Sequence, residues 1–355
     1  MNKKKLITSL VFIIIVGAVI ISLTVSKKSY AVGTTLVDTV KALNKGSSWS
    51  AGASGVYYTN SHEYRYIGAE VNNYVKFNND LYRIIGVFDS NSHGVSGTEL
   101  VKLIRARSLG GYSWGAYNTD SSTGTYSGYA NDWTGKSKTS KANLNVLLNE
   151  YFYNKTDTSS TYGDCANWTY YTADNSYKTK DCSDIITYGI DSSLRGYIET
   201  ATWYLYGSKT AQSKQNWYLC ERGGNSCTSS GPSTGDTSVT SKVGLMYLSD
   251  YLYASGYYAS TDTSTQDQNY FGNNNWLYKG YEWTLTPYAS ATNLVWYVKD
   301  GSADYVGYII NDIAYDCSNI PYASRPTFYL KSSVYVTGGN GSFDDPYTLG
   351  CDNCS

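Results

Sequence analysis

The chain has 355 residues, of which 39 are Tyr and only 16% are charged, and its formal net charge is −1. That length suits one large domain or two modest ones and excludes a disulfide-held miniprotein. The sparse charge excludes a highly charged disordered chain and a basic nucleic-acid binder, so no nucleic-acid partner is expected. Two His and two Met leave almost no material for a His-built metal or acid–base site.

Lys3, Lys4 and Lys5 precede an uncharged run over 6–25, about 30 Å of helix and long enough to cross a bilayer. Ser29-Tyr30-Ala31 offers a small-x-small cleavage pattern, so residues 1–31 fit both a signal peptide and a retained transmembrane anchor. Either way the long polar segment beyond reads as an exported ectodomain, at the cell membrane or secreted. Without Lys3, Lys4, Lys5, Lys27 and Lys28, 23 basic residues face 29 acidic ones, about −6 at neutral pH.

Thr34 to Asn44 spaces Leu36, Val37, Val40 and Leu43 as a helix, and the Gly/Ser-rich stretches to Gly55 break it. Residues 32–55 therefore read as a short stalk helix and flexible linker, 56–337 as a single globular ectodomain and 338–355 as a Gly- and Cys-containing tail. Tyr74 to Phe77, Leu81 to Phe88 and Glu99 to Arg105 are β-rich, and the Asp89 to Gly94 turn cluster makes the last two a hairpin. Leu100 and Ile104 lie on one face of the second strand and Val101 and Leu103 on the other, which predicts a central, doubly covered strand.

Ser140 to Phe152 takes a helical period through Leu144, Leu147, Leu148 and Tyr151, with Ser140 as N-cap. A second helix is expected from Ser192 or Ser193 to about Tyr206, burying Leu194, Ile198, Ala201 and Leu205. Asn216–Arg222, Lys242–Tyr247, Glu282–Leu285, Leu294–Lys299, Tyr305–Ile310 and Thr327–Lys331 read as short strands, and Ser249–Ser255 as one or two helical turns. The spacing fits neither a βαβ alternation nor a repeat array. The expected class is α+β, with small antiparallel sheets, a few helices and extensive ordered loops after one N-terminal hydrophobic helix.

Seven Cys stand at Cys165, Cys182, Cys220, Cys227, Cys317, Cys351 and Cys354, and an exported location favours disulfides over metal. Cys220 and Cys227 bracket a Gly-Gly turn, and Cys165 with Cys182 would close the long loop between the two predicted helices. The tail Cys351-Asp-Asn-Cys354 could be a redox couple or half a zinc knuckle, but Cys317 pairing with either tail Cys is the expected structural use. Asp89-x-Asn91-x-His93-Gly94 begins like a calcium loop, yet Leu100 stands where the bidentate Glu belongs. Asp262 to Asn269 and Asp344-Asp345 lack a defined ligand spacing, so no cofactor, calcium included, is supported. His62 and His93 both read as solvated turn residues. No nucleophile elbow, zinc-protease motif or phosphate loop is present, and no catalytic residue can be named.

The loops are rich in Tyr, Asn, Ser, Thr, Gly and Trp, residues that make adaptable recognition surfaces. Trp283-Thr-Leu-Thr-Pro287-Tyr288, Val295 to Gly301, Arg325-Pro-Thr-Phe-Tyr-Leu-Lys331 and Gly338 to Leu349 follow Tyr64 to Gly68, Asn73 to Phe77, Leu81 to Gly86 and Val243 to Asp250. This ordered set resembles an exported domain family of unknown function from Gram-positive gut bacteria, over most of Tyr64 to Leu349. Its closing half is more faintly similar to C-type-lectin-like domains of the formylglycine-generating-enzyme type, which implies a loop-heavy scaffold presenting a ligand surface. The calcium-lectin Glu-Pro-Asn motif and the enzyme branch's copper-binding Cys pair have no match. Within the C-type-lectin-like reading, Leu294, Trp296 and Val298 should face the core and Tyr297 the wetter side.

The expected function is a non-enzymatic binding or adhesion module, tethered through 6–25 if uncleaved, that meets a glycan or protein ligand. The ligand candidates are Trp283, Tyr288, Asn293, Tyr297, Tyr308 and Asn311. An enzyme on the formylglycine-generating-enzyme-like scaffold, using Cys351 and Cys354, and a structural envelope component are the two alternatives.

Overall fold

The structure is a computed structural model. It describes residues 33–112, 114, 133, 144–155, 168–171, 177–180, 183–208, 213–224, 237–256, 274–289, 295–298, 306–308 and 322–354. The chain divides into two units, Met1–Thr34 and Thr35–Ser355, and every described helix and strand belongs to the second. The 6–25 run and Ser140 lie outside the described residues; among the described residues no helix is long and apolar enough to cross a membrane.

Helix α1 (Leu36–Ala42) is capped by the Thr35 side chain, which accepts from the Asp38 amide, and buries Leu36, Val37 and Val40 in the main core. Residues 35–44 are therefore part of the folded unit rather than a stalk, because three of the four periodic apolar residues find a sheet to cover. Strands β1 (Gly55–Tyr58), β2 (Tyr64–Ile67), β3 (Tyr74–Phe77) and β4 (Asp80–Phe88) follow. Asn78 and Asn79, with φ of 55° and 57°, turn β3 into β4 as a two-residue hairpin, since Asn tolerates the left-handed region both positions require.

Strand β4 is shared along its length. Its first half pairs with β3 and its second with β2, while its other edge pairs with β5 (Leu100–Arg105) around a bulge between Ile84 and Gly86. A Cβ on Gly86 would stand 2.3 Å from the Tyr64 carbonyl oxygen, so only glycine lets β2 approach. The predicted hairpin is present. Its connection is helix α2 (Ser90–His93), with Asp89 as N-cap and Gly94 in the left-handed C-cap position. All six residues of β5 are buried, as its two apolar faces require.

Next come β6 (Gly111–Tyr112), an α-helical turn (Leu144–Val146) that continues as a π-helix (Leu147–Tyr153), β7 (Trp168–Tyr171) and β8 (Tyr177–Lys180). Leu144, Leu147, Leu148 and Tyr151 are buried, as their spacing predicts. The helix expected from Ser192 to Tyr206 is instead a 3-10 turn, Ser192–Tyr197, followed by β9 (Ala201–Tyr204), which pairs with β10 (Ser238–Ser241). Gly196 and the β-favouring run Thr202-Trp203-Tyr204 outweigh the apolar period. A Cβ on Gly196 would fall 1.6 Å from the Cys354 carbonyl oxygen.

The opposite exchange occurs at 214–221. The aromatic run read as a strand forms helix α3 (Lys214–Glu221), capped by Ser213 and burying Lys214, Trp217, Tyr218, Cys220 and Glu221 on one side. Helix α4 (Leu248–Tyr253) stands where one or two turns were expected. Among the described residues, Lys242–Tyr247 contributes the single bridge Gly244 to Thr327.

Strands β11 (Glu282–Pro287), β12 (Val295–Val298), β13 (Val306–Tyr308) and β14 (Tyr322–Ala323) join β6 in a five-stranded sheet ordered β13-β12-β11-β14-β6. Strand β15 (Thr327–Leu330) covers the free edge of β5. The tail also folds: β16 (Tyr335–Gly338) pairs with β17 (Tyr347–Gly350), and β17 lies parallel to β3. The main sheet thus reaches eight strands, larger than expected, within the predicted α+β class, and it draws in residues assigned to the tail. Cys351 is bonded to Cys354, which overturns the pairing of Cys317 with either of them: three residues apart, the two tail thiols meet across a tight turn. Cys220 is also disulfide-bonded. Cys165, Cys182, Cys227 and Cys317 lie outside the described residues.

Candidate functional site

Two groupings stand out, one buried and one displayed. The buried one begins with Arg65 on β2, whose Nε and Nη2 donate to Glu63 Oε2 at 3.1 and 2.6 Å and whose Nη1 donates to Asp250 Oδ1 at 2.8 Å. Lys102, in the middle of β5, donates to Asp250 Oδ2 at 2.6 Å, as does the Tyr247 amide at 2.9 Å. The Ser92 hydroxyl donates to Glu63 Oε1 and accepts from Arg222 Nε at 3.1 Å, with the Tyr218 hydroxyl also 3.1 Å away. Glu221 accepts from the Ser249 amide and hydroxyl and, at 2.7 Å, from Thr286 Oγ1.

Arg65, Lys102 and Arg222 thus balance Glu63, Asp250 and Glu221. Aromatic rings line the network: the Arg65 guanidinium lies 4.6 Å from the Phe88 centroid and 4.7 Å from that of Tyr253, and Lys102 Nζ lies 4.5 Å from the Tyr247 centroid. Burial pushes the Lys102 ammonium down to about 8 although Asp250 opposes the shift. Burial would also raise the Asp250 carboxyl, but Lys102 and Arg65 outweigh it and hold that group at about 2. Such shifts mark functional sites as well as structural ion pairs. Here Ser92, Lys102 and Asp250 are fully or almost fully buried, and the Ser92 hydroxyl is engaged by three side chains. The network ties α2, α3 and α4 to the main sheet.

His93 belongs to this interior rather than to a solvated turn. Its Nδ1 accepts from the Val95 amide at 3.2 Å, so Nε2 carries the proton and donates to the Phe88 carbonyl at 3.1 Å; burial lowers its pKa. Asp89 spends both carboxylate oxygens on Asn91, which fits a helix cap. His62 is exposed, as expected. Among the described residues no three His, Cys, Asp or Glu side chains are grouped to hold a metal ion.

The displayed grouping lies on the five-stranded sheet. Tyr322 precedes Ala323, which opposes Glu282 in the parallel β11/β14 pair, and Tyr297 is the cross-strand partner of Trp283. The rings of Tyr281, Tyr297 and Tyr322 are nearly parallel. Tyr281 and Tyr322 are 5.2 Å apart at 24°, Tyr322 and Tyr297 4.8 Å at 18°, and Tyr281 and Tyr297 6.3 Å at 13°. In a straight column the outer rings would be about 10 Å apart, the sum of the two shorter separations. The rings are therefore staggered, in the offset arrangement that their quadrupoles favour. Tyr281 is 40% exposed, and Tyr297 and Tyr322 are half-buried. Burial pushes the Tyr297 hydroxyl up, against a hydrogen bond with Tyr322 that lowers it.

Trp283 underlies this face. It is 0% exposed, its ring stands 4.8 Å from Tyr322 and edge-on to Tyr297 at 6.2 Å, and its Nε1 donates to the Tyr112 carbonyl at 2.7 Å. Of the residues singled out from sequence, Trp283 and Tyr297 are thus together, the first buried and the second as the half-buried residue of β12, as strand alternation predicts. Tyr288 is at the far end of β11, against Trp296 at 5.9 Å, roughly 20 Å of strand away from Tyr281. Tyr308 is in β13, its backbone opposite Trp296. Asn293 and Asn311 lie outside the described residues. Sequence reasoning missed Tyr281 and Tyr322; the alternation Tyr281-x-Trp283 was the available signal for the first, and nothing local marked the second.

No protein-family profile, curated protein or solved structure matches the chain.

Proposed function

We propose that this is an exported binding module, anchored through 6–25 or released, that engages its ligand with the tyrosine face of the five-stranded sheet. The observation that carries the reading is the staggered, near-parallel set Tyr281, Tyr297 and Tyr322, partly open to solvent over a buried Trp283. The other large exposed aromatics among the described residues are placed differently: Tyr188 receives the Arg105 guanidinium on its ring, and Phe343 meets the single ring of Tyr74 edge-on. Tyr rings supply contact area for little side-chain entropy, so a rigid set of three is a pre-organised surface. The likeness to C-type-lectin-like domains is proposed with it.

The test is retention of the full chain on surfaces coated with mucin, peptidoglycan or collagen, for the natural protein and for Tyr281→Ala with Tyr297→Ala. Retention lost in the variant, with an unchanged melting temperature, supports the reading. Retention that survives the double substitution sinks it.

A further inference from the structure

We propose that the tyrosine face takes the flat C–H face of a pyranose ring in an uncharged polysaccharide; this rests on the reading of that face as the binding surface. The shape of the face argues first. With interplanar angles of 13°, 18° and 24°, the three rings form a stepped, offset-stacked surface, and among the described residues the one ring inclined to them, Trp283, is wholly buried. A quaternary or alkyl ammonium is held by rings that surround it as a cage, and a proline-rich helix docks into an aromatic-lined groove. A stepped surface suits a ligand that is itself flat on one side.

Electrostatics then selects among flat ligands. The ring faces carry the negative lobe of the quadrupole and attract partially positive hydrogens, which the C–H face of a sugar ring presents. Chain alternation puts Trp283 and Leu285 of β11 on this side and Glu282 on the other, where both Glu282 oxygens are taken by Arg325 at 2.6 Å. On β12 the same side carries half-buried Tyr297 and fully buried Val295. The described strands therefore bring no fixed charge to it. The exported part of the chain has 29 acidic against 23 basic residues, which disfavours polyanions, nucleic acids included. The Tyr281 hydroxyl can both donate to and accept from equatorial sugar hydroxyls, while those of Tyr297 and Tyr322 share a hydrogen bond.

The experiment is affinity electrophoresis of the full chain in gels containing soluble β-glucan, glycol chitin, xylan or heparin, with a fluorescent polyproline peptide measured separately. The natural protein, Tyr281→Ala and Tyr281→Phe are compared. The expected result is retardation by at least one of the three uncharged polymers, weakened about tenfold by Ala and kept within about threefold by Phe. Retardation by heparin alone, binding of the peptide alone, or no retardation by any polymer overturns the saccharide. Loss of mucin, peptidoglycan or collagen retention on Tyr281→Ala would then still uphold the face as a binding surface. Sugar retardation that Tyr281→Ala leaves intact overturns both.

Discussion

The ion network beneath β2 and β5 and the tyrosine face on β11, β12 and β14 handle costly surface in opposite ways. In the first, six ionisable side chains are taken out of water and satisfied by one another and by neighbouring amides and hydroxyls: Asp250 alone serves Arg65, Lys102 and the Tyr247 amide. In the second, three aromatic rings that could have joined the core are left partly in water, two of them resting on one that is buried. Many described tyrosines are simply buried. Tyr66, Tyr82, Tyr247, Tyr251, Tyr253 and Tyr329 are core residues, so part of the abundance of Tyr is packing material. A high tyrosine count is therefore weak evidence for recognition; three parallel rings at a sheet surface are stronger evidence.

The largest expected effect is on the network. Asp250→Ala leaves Lys102 and Arg65 buried with too little negative charge and should cost about 3–5 kcal/mol, read as a lower urea midpoint. A loss below about 1 kcal/mol would mean that water or a rearrangement solvates these cations, and the contrast between the two regions would weaken. Trp283→Ala should cost a similar 3–5 kcal/mol by opening a cavity and removing the indole hydrogen bond to the Tyr112 carbonyl, which places the base of the tyrosine face with the core. A Trp283→Phe variant, keeping most of the ring volume, should recover the larger part.

The network also sets an acid limit. The Asp250 carboxyl is held at about 2 in the folded chain against 3.8 unfolded. A depressed carboxyl contributes stability that is complete above the unfolded value and is lost as pH falls through the folded one. The contribution is about 2 kcal/mol at neutral pH and should disappear between about pH 4 and pH 2. Urea unfolding across that range tests it: the stability gap between the natural protein and Asp250→Asn should narrow as pH falls, and a gap that stays constant would remove the carboxylate from the explanation.

What was legible in the sequence follows from which forces act locally. Strands β3, β4 and β5 and their hairpin could be read because alternating or continuous apolar runs and a turn cluster specify them without distant help. Helix α3 was misread because Trp217, Tyr218 and Leu219 look like a strand, although the Ser213 cap and the 214, 217, 218, 221 spacing were there to be weighed. The 3-10 turn at 192–197 was misread for the converse reason: the packing of Gly196 against Cys354, 158 positions away by residue number, breaks a plausible helical period. The ion network left one trace, a Lys inside the apolar strand Leu100-Val-Lys-Leu-Ile104, but its partner Asp250 could be assigned only by the fold. The tyrosine face was half legible. Alternation put Tyr297 on the wetter side, whereas Tyr322 joins it through the parallel pairing of β14 with β11, a contact between strands that no local pattern announces.

The smallest expected effect is the one that separates the two regions most sharply. Tyr281→Ala removes a ring that is already 40% exposed and that stacks on Tyr322 and Tyr297, whereas the described rings against Trp283 are those two. Its stability cost should be about 1 kcal/mol or less, the worth of an offset aromatic contact, and chemical unfolding should show an unchanged slope with a slightly lower midpoint. A cost near that of Trp283→Ala would mean that Tyr281 is a core residue with an accidental opening, and the tyrosine face would lose its outer member. A small cost joined to a large loss of ligand retention is the combination expected of a surface kept in water for contact, because a ring retained only for packing cannot be removed cheaply from the fold and dearly from binding at once.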